Sequence, residues 1–206
     1  AGVALLGTPA RAQRRLAVSF SPGIAFPAGP ARFTEAYRWA LGGGLGLAIP
    51  LSPRFSIHAQ ADYNRFMLDR LGYLGEAGQV LRDLFLSGFL GVEGGEANML
   101  TLLAGGRGYA PLFGGAVSPY GTAALGGFLL WTNAVTLTVR SDPPQPTRRE
   151  GGSELSLGAA LGVGVEIAQG QRTAWFVEGR WVLGFAELTP GTRTSYFPVR
   201  VGFALR

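Results

Sequence analysis

The chain has 206 residues, of which 33 are glycine, 47% are hydrophobic and 15% are charged. It contains no cysteine and a single histidine, which excludes disulfides, zinc–thiolate sites and multi-histidine metal sites. All 18 basic residues are arginine and the formal net charge is +5, and the high hydrophobic content excludes a disordered chain. So much glycine with so few charges is unusual for a soluble enzyme, and a membrane environment has to be considered.

The first residues resemble the end of a secretory signal peptide. Val3-Ala4-Leu5-Leu6 is a short apolar run, and Ala10-Arg11-Ala12 has the A-x-A pattern that precedes cleavage sites. We therefore predict a signal-peptide remnant over residues 1–12 and one folded domain over residues 13–206. The alternative is an alanine-rich N-terminus with no targeting role. Gln13 argues against a lipoprotein anchor, which would require a cysteine there.

From Leu16 onward, bulky apolar residues alternate with small or polar ones, which is the period of a β-strand. The pattern is clearest in 155–167, where leucine, valine and isoleucine alternate mostly with glycine, alanine and serine. Eight such segments predict eight strands: 16–26, 37–51, 55–63, 98–110, 119–139, 155–167, 175–185 and 196–205. Several exceed the ~9–11 residues that a tilted strand needs to cross a bilayer.

A membrane-spanning helix is the alternative for the uncharged segment 108–139. Pro111, Pro119 and several glycines interrupt this segment, and its apolar residues recur every two positions rather than every 3.6. A single helix would also leave the other alternating segments unexplained. The pattern therefore favours strands.

The connections between the predicted strands differ in length. Three are short, near 50–54, 112–118 and 168–172, and between them lie four others, near 27–36, 69–97, 140–153 and 187–195. Short turns on one rim and longer loops on the other are typical of an up-and-down barrel with both termini on the turn side. Spanning barrels of this kind have short periplasmic turns and longer extracellular loops.

Two of the longer loops have features of their own. In loop 69–97, the apolar residues between Glu76 and Phe89 are spaced for a short amphipathic helix, which would serve as a lid or as a binding element. Loop 140–153 is rich in proline and charge, which is typical of a mobile polar loop.

The polarity of the strands distinguishes a membrane barrel from a soluble ligand carrier. A soluble barrel places its large apolar side chains inside, but here the opposite face is too small and too weakly charged to form a water-exposed surface. We therefore predict that the bulky face meets lipid. Aromatic residues near the strand ends would form interfacial girdles: Tyr37, Trp39, Tyr63, Trp131, Trp175 and Phe197.

These features resemble the small eight-stranded outer-membrane β-barrels of the OmpA/OmpX type. The resemblance rests on the eight strands, the three tight turns and Pro119-Tyr120-Gly121 at the start of the fifth strand. The ending 200–206 is similar to the insertion signal of such barrels, with Arg200, Gly202 and Leu205 at its polar, glycine and hydrophobic positions, but it lacks the final aromatic residue. The resemblance implies an all-β, antiparallel transmembrane barrel in a bacterial outer membrane.

Several charged and polar residues fall on the inward face of the predicted strands. We expect them to form a polar network that fills the lumen, because buried charges must be paired: Arg38, His58, Gln60, Asp62, Arg107, Glu166, Glu178, Arg180 and Arg200. Heights counted from the turn side predict the pairs Asp62–Arg107 and Glu178–Arg200. His58 lies two residues from Ser56, but no carboxylate is spaced to orient it, so a lumen histidine is favoured over a catalytic one.

The sequence therefore favours a non-enzymatic barrel with a structural, envelope-stabilising or surface-interaction role. The alternatives are a narrow porin-like conductor of small solutes and a lipid A-modifying barrel enzyme. The expected partners are outer-membrane lipid, lipopolysaccharide, the barrel-assembly machinery and a surface ligand bound by loops 69–97 and 140–153. We predict a monomer with no cofactor, no metal and no nucleic-acid partner.

Overall fold

The structure, a computed structural model, describes residues 16–77, 83, 85–87, 90–139, 145–170, 172–187 and 193–206. Of residues 75–77, 145, 185–187 and 193 it describes the backbone alone. The predicted signal-peptide remnant 1–12 lies outside these residues, as does most of the segment predicted to form a helix between Glu76 and Phe89.

Eleven strands and two α-helices account for most of the described chain, and Asp83, Phe85 and Leu86 are also helical. In chain order they are β1 (Ala17–Gly29), α1 (Ala31–Ala36), β2 (Tyr37–Ser52), β3 (Phe55–Leu68), α2 (Arg70–Ala77), β4 (Leu90–Gly94), β5 (Ala97–Tyr109), β6 (Val117–Thr132), β7 (Val135–Val139), β8 (Gln145–Arg149), β9 (Ser153–Gln169), β10 (Thr173–Glu187) and β11 (Arg193–Leu205). A short 3-10 turn covers Phe113–Gly115. No helix among the described residues is long and apolar enough to span a membrane.

Eight of the strands form a closed antiparallel barrel in the order β1-β11-β10-β9-β6-β5-β3-β2. The first and last strands close it, with Val18 opposite Leu205 and Phe26 opposite Phe197. The prediction of an eight-stranded up-and-down barrel is confirmed. Closure leaves no free edge in this sheet, so its backbone groups are paired without water.

Glycine allows the tight turn between β9 and β10. Gly170 has a φ of +80°, a left-handed conformation that residues with a Cβ rarely adopt. The turn between β5 and β6 likewise has Gly114 at a φ of +68°. Both turns lie on the rim that carries the chain ends of β1 and β11, which we call the turn side.

The opposite rim, the loop side, carries a small second sheet that sequence analysis missed. Strands β4, β7 and β8 form it in the order β4-β7-β8. The predicted strand 119–139 is therefore two strands, β6 in the barrel and β7 in this sheet, and the predicted irregular loop 140–153 contains β8. We call β4, β7 and β8 together with α2 the cap.

The cap has an apolar core of its own. Leu74 of α2, Leu90 and Val92 of β4 and Val135 of β7 are buried together. Tyr73, Phe85 and Leu137 pack against them. The alternation of the two faces of β4 and β7 is therefore explained by this local core and not by a bilayer.

Candidate functional site

The barrel wall has its large apolar side chains on the outside. Exposed residues include Leu45, Leu125, Leu155, Leu161, Val163 and Trp181, all on barrel strands. Inward positions on the same strands hold mostly small, polar or charged side chains over the turn-side half, with Phe176 as a large apolar exception. This inverted polarity is typical of a barrel surrounded by hydrocarbon.

The loop-side half of the lumen is filled by apolar side chains, which we call the apolar layer. Phe66, Met99, Phe128, Leu130, Val182 and Tyr196 are buried there in one cluster. Phe33 of α1 joins them, with its ring centroid 5.1 Å from that of Phe66. Helix α1 thus inserts an aromatic ring into the barrel mouth from above.

An ionic cluster lies between the apolar layer and the turn side. It consists of Asp62 on β3, Arg107 on β5, Glu178 and Arg180 on β10 and Arg200 on β11, and all five side chains are at most 11% exposed. Arg107 Nη2 donates to Glu178 Oε2 at 3.0 Å. Arg180 Nη1 donates to Asp62 Oδ2 at 3.4 Å, and its Nε contacts Glu178.

Neutral polar groups extend this cluster. Gln60 Nε2 donates to Asp62 Oδ1 at 2.8 Å, and Arg180 Nη2 donates to Gln60 Oε1. Arg200 Nη2 donates to Asn64 Oδ1 at 2.6 Å, while its Nε lies 4.0 Å from Asp62 Oδ1. Sequence analysis missed Asn64, although its even position on β3 was available as a signal.

The predicted partners were wrong, even though the predicted residues meet in one cluster. Asp62 lies opposite Thr101 in the register of β3 and β5, and Arg107 lies six residues further along β5. Glu178 lies directly opposite Arg200, yet its carboxylate turns to Arg107 and Arg180. In so narrow a lumen, side chains reach across to strands that are not neighbours in the sheet.

The predicted locations of Arg38 and Tyr37, which rested on the alternation along β2, were wrong. Arg38 was expected in the lumen, but its side chain is 61% exposed at the loop-side rim and its Nε donates to Asp69 Oδ2 at 2.9 Å. Tyr37 was expected in the girdle, but it packs on the apolar layer with its ring 5.3 Å from that of Phe33. The register of β2 against β3 shifts between Tyr37 and Ala40, which breaks the alternation at this end of β2.

The other girdle candidates are placed on the outer surface or its edge. Trp39, Tyr63, Trp175 and Phe197 are exposed, and Trp131 is half-buried. The Tyr63 and Trp131 rings lie 6.0 Å apart. Tyr63 donates to Asn98 Oδ1 at 2.7 Å and Trp175 donates to Gln169 Oε1 at 2.8 Å, so both rings keep a polar atom satisfied at the surface.

His58 and Glu166 complete the predicted inward set. His58 is buried, and its Nε2 lies 3.4 Å from Thr122 Oγ1. Glu166 is buried near the turn side and pairs with Arg206. The described residues contain no group of three or more metal-ligating side chains.

The side chains of the predicted insertion-signal residues do not all point to the same face of β11. Arg200 points into the ionic cluster, and Leu205 points outward. Gly202 lies under the Phe176 ring, which a Cβ at this position would overlap. Recognition of these residues by an assembly machinery stays a prediction.

The fold is shared with solved outer-membrane barrels. A major outer membrane protein from Thermus thermophilus matches with a TM-score of 0.58 at 14% identity, covering 93% of this chain and 99% of that one. Neisserial surface protein A matches with a TM-score of 0.56 at 10% identity, covering 92% and 96%. The outer membrane protein OprG from Pseudomonas aeruginosa matches with a TM-score of 0.51 at 10% identity, covering 93% and 96%.

No protein-family model matches the sequence, and no curated protein matches it. At these identities the solved structures establish the fold. The predicted resemblance to small eight-stranded outer-membrane barrels is confirmed at that level.

Proposed function

We propose that this chain is an integral, non-enzymatic protein of a bacterial outer membrane, in which a sealed barrel anchors the cap at the cell surface. The observation that carries the proposal is the filling of the lumen at two successive levels. The apolar layer fills its loop-side half, and the ionic cluster fills its middle. A solute would have to displace both, which favours an anchoring role over a porin-like one.

The exposed belt of the barrel supports a location within a bilayer. Leu155, Leu161 and Val163 are each at least 65% exposed on one strand, β9. Apolar surface kept out of water is stabilised by ~25 cal/mol per Å², so this strand face is favourable against hydrocarbon and unfavourable against water. The shared fold supports an outer membrane as that bilayer.

The cap supports a role at the surface. In outer-membrane barrels the longer connections are extracellular, and the cap lies on that rim. Its strand β8 presents Arg148 and Arg149 to solvent. Guanidinium groups bind phosphate well, so lipopolysaccharide phosphates or an acidic surface partner would suit this strand.

The placement of Ser56 and His58 supports a non-enzymatic role. Both side chains are buried inside the lumen at the turn-side half. Neither reaches the lipid-facing surface, where a lipid substrate would lie.

The absence of native cysteine permits a direct test of orientation. Leu86→Cys places a thiol in an exposed position beside the cap, and Phe113→Cys places one in the turn between β5 and β6, where the native side chain is 84% exposed. A membrane-impermeant maleimide applied to intact Gram-negative cells should label Leu86→Cys. It should label Phe113→Cys only after the cells have been lysed. The reverse pattern would overturn the proposed orientation.

Planar-bilayer recording tests the sealed lumen. The purified wild-type protein should give no discrete single-channel currents in monovalent salt. A variant with two cavities in the apolar layer, Phe66→Ala with Phe128→Ala, should also stay closed because the ionic cluster remains. Regular current steps from the wild-type protein would contradict the anchoring role and favour conduction of solutes.

A further inference from the structure

The turn-side end of the lumen contains a cavity of about 510 Å³. Its mouth is formed by the turns, including Pro53 and Gly114, and its inner end by Ser56, Arg107 and Phe176. Ligand sites in proteins usually have volumes of ~300–1,000 Å³. The cavity is therefore large enough for a small ligand that enters from the turn side.

The ionic cluster behind this cavity is not balanced in charge. Three guanidinium groups, those of Arg107, Arg180 and Arg200, share the carboxylates of Asp62 and Glu178. Glu166 and Arg206 also line the cavity, and they pair with each other, so the Glu166 carboxylate is neutralised there. A net positive charge in a low-dielectric interior is costly unless an anion accompanies it.

Two of the buried donors without a hydrogen-bond partner lie on the cavity side of the cluster, while others, such as Asn64 Nδ2 and Arg200 Nη1, lie deeper in the lumen. Arg107 Nε and Ser56 Oγ are buried and have no hydrogen-bond partner among the described residues. Both residues line the cavity. Buried polar groups are nearly always hydrogen-bonded, and an exception calls for a ligand, an ion or water.

Arg107 is also held in place for binding. One side of its guanidinium donates to Glu178, and its Cζ lies 4.3 Å from the centroid of the Tyr120 ring. Arg107 is the most exposed of the three guanidinium groups in the cluster, at 11%, and the one of the three that lines the cavity. A planar guanidinium with fixed orientation matches the geometry of a carboxylate or phosphate.

We propose that the turn-side cavity binds a small oxyanion against Arg107 and Ser56. The anion balances the third guanidinium, accepts hydrogen bonds from Arg107, and accepts one from the Ser56 hydroxyl. Entry is from the turn side, so the ligand comes from solution at that rim and does not pass through the barrel. This site goes beyond the proposed anchoring role and does not depend on the orientation of the barrel in the membrane.

Inorganic phosphate is the probe for this site. It is titrated into the full chain in detergent micelles by calorimetry at constant ionic strength, with sodium chloride as the compensating salt. The wild type should show saturable binding at one site. Bound phosphate should also raise the thermal unfolding midpoint, because a ligand that binds the folded state alone stabilises it.

Two variants and one matched control test whether phosphate binds at Arg107 and Ser56. Arg107→Gln leaves two guanidinium groups against two carboxylates and should weaken phosphate binding by about tenfold or more. Ser56→Ala should weaken it by about threefold to tenfold. Ser156→Ala should leave it unchanged, because Ser156 is also an inward serine with an unpartnered hydroxyl but lies at the loop-side end of β9, away from the cavity.

Three results would overturn the site. They are no saturable binding by the wild type, equal affinity in Arg107→Gln and the wild type, and an equal loss in Ser56→Ala and Ser156→Ala. Should Arg107→Gln fail to fold, the comparison of the two serine variants still decides the matter. Channel currents in a bilayer would contradict the anchoring role without affecting these titrations.

Discussion

The barrel and the cap place the same kinds of residue in opposite ways. In the barrel, Leu125 faces outward and Glu178 is enclosed. In and beside the cap, Leu74 and Leu90 are enclosed, and Glu150 is exposed. Both regions are antiparallel β-structure, so the type of secondary structure does not set the direction of the side chains.

The difference shows that each region is arranged for its own solvent. The barrel wall meets hydrocarbon and has a narrow interior in which charges can pair. The cap meets water and buries apolar surface by the ordinary hydrophobic effect. Matched substitutions in the two regions should therefore have unequal effects.

The largest difference is expected for the two glutamates. Glu178→Gln removes the carboxylate that contacts both Arg107 and Arg180, which are buried. The substitution should lower the free energy of unfolding by about 3–5 kcal/mol. Glu150→Gln removes an exposed pair with Arg148 and should change it by less than about 0.5 kcal/mol. Urea unfolding in bilayers, followed by heat-modifiable electrophoretic mobility, measures both. Equal losses would show that the cluster does not stabilise the barrel.

A smaller difference is expected for two leucines of similar exposure. Leu125 on β6 is 69% exposed and Leu86 beside the cap is 63% exposed. Leu125→Arg should destabilise the folded barrel by about 2–4 kcal/mol, the cost of an arginine on the lipid face near the bilayer centre. Leu86→Arg should stay within about 0.5 kcal/mol because that side chain meets water. The same bilayer unfolding assay applies, and equal effects would contradict the assignment of different solvents to the two residues.

The smallest effect is expected at the joint between the two regions. Asp69 caps α2, since its Oδ1 accepts from the backbone N–H of Leu71 at 3.2 Å, and its own N–H donates to Ala36 at the end of α1. The hydrogen bond from Arg38 is the main cause of a lowered pKa for the Asp69 carboxyl. A lowered pKa stabilises the fold above the unfolded value of ~3.9, and this stabilisation is lost as the pH falls through the folded value.

Hydrogen exchange measures that loss. Amides of α2 should exchange faster relative to the barrel at pH 3 than at pH 5 in the wild type. Asp69→Asn removes the titrating group and should abolish the difference, while Arg38→Gln should reduce it. A difference that persists in Asp69→Asn would assign the effect to another carboxyl group.

The barrel was predictable because its signal is local. Alternation along a strand such as 155–167 follows from one side of the sheet meeting lipid, and the turn glycines mark the strand ends. The cap was not predictable in this way. Strand β7 continues the alternation of β6 after a break at residues 133–134, so the sequence alone does not show that the chain has left the bilayer.

The candidate site was predictable in membership but not in pairing. The alternation of apolar and polar residues within each strand places Asp62, Arg107 and Glu178 on the inward face. This inference needs no information about the neighbouring strands. Their partners depend on how far adjacent strands are displaced and on contacts across the lumen. The side-chain directions of Tyr37 and Arg38 were predicted wrongly for a related reason. A register shift near the end of β2 changes which residues face inward, and no feature of the sequence indicates that shift.

Closure of the barrel through β1 and β11 has a consequence for how the chain reaches its native state. The seam joins positions as distant in the chain as Val18 and Leu205. Contacts of such large sequence separation are entropically costly to form and slow folding. Because β11 is synthesised after β1, β1 cannot be fully paired until β11 has emerged. A chaperone that shields both unpaired edges until then would protect the chain from aggregation.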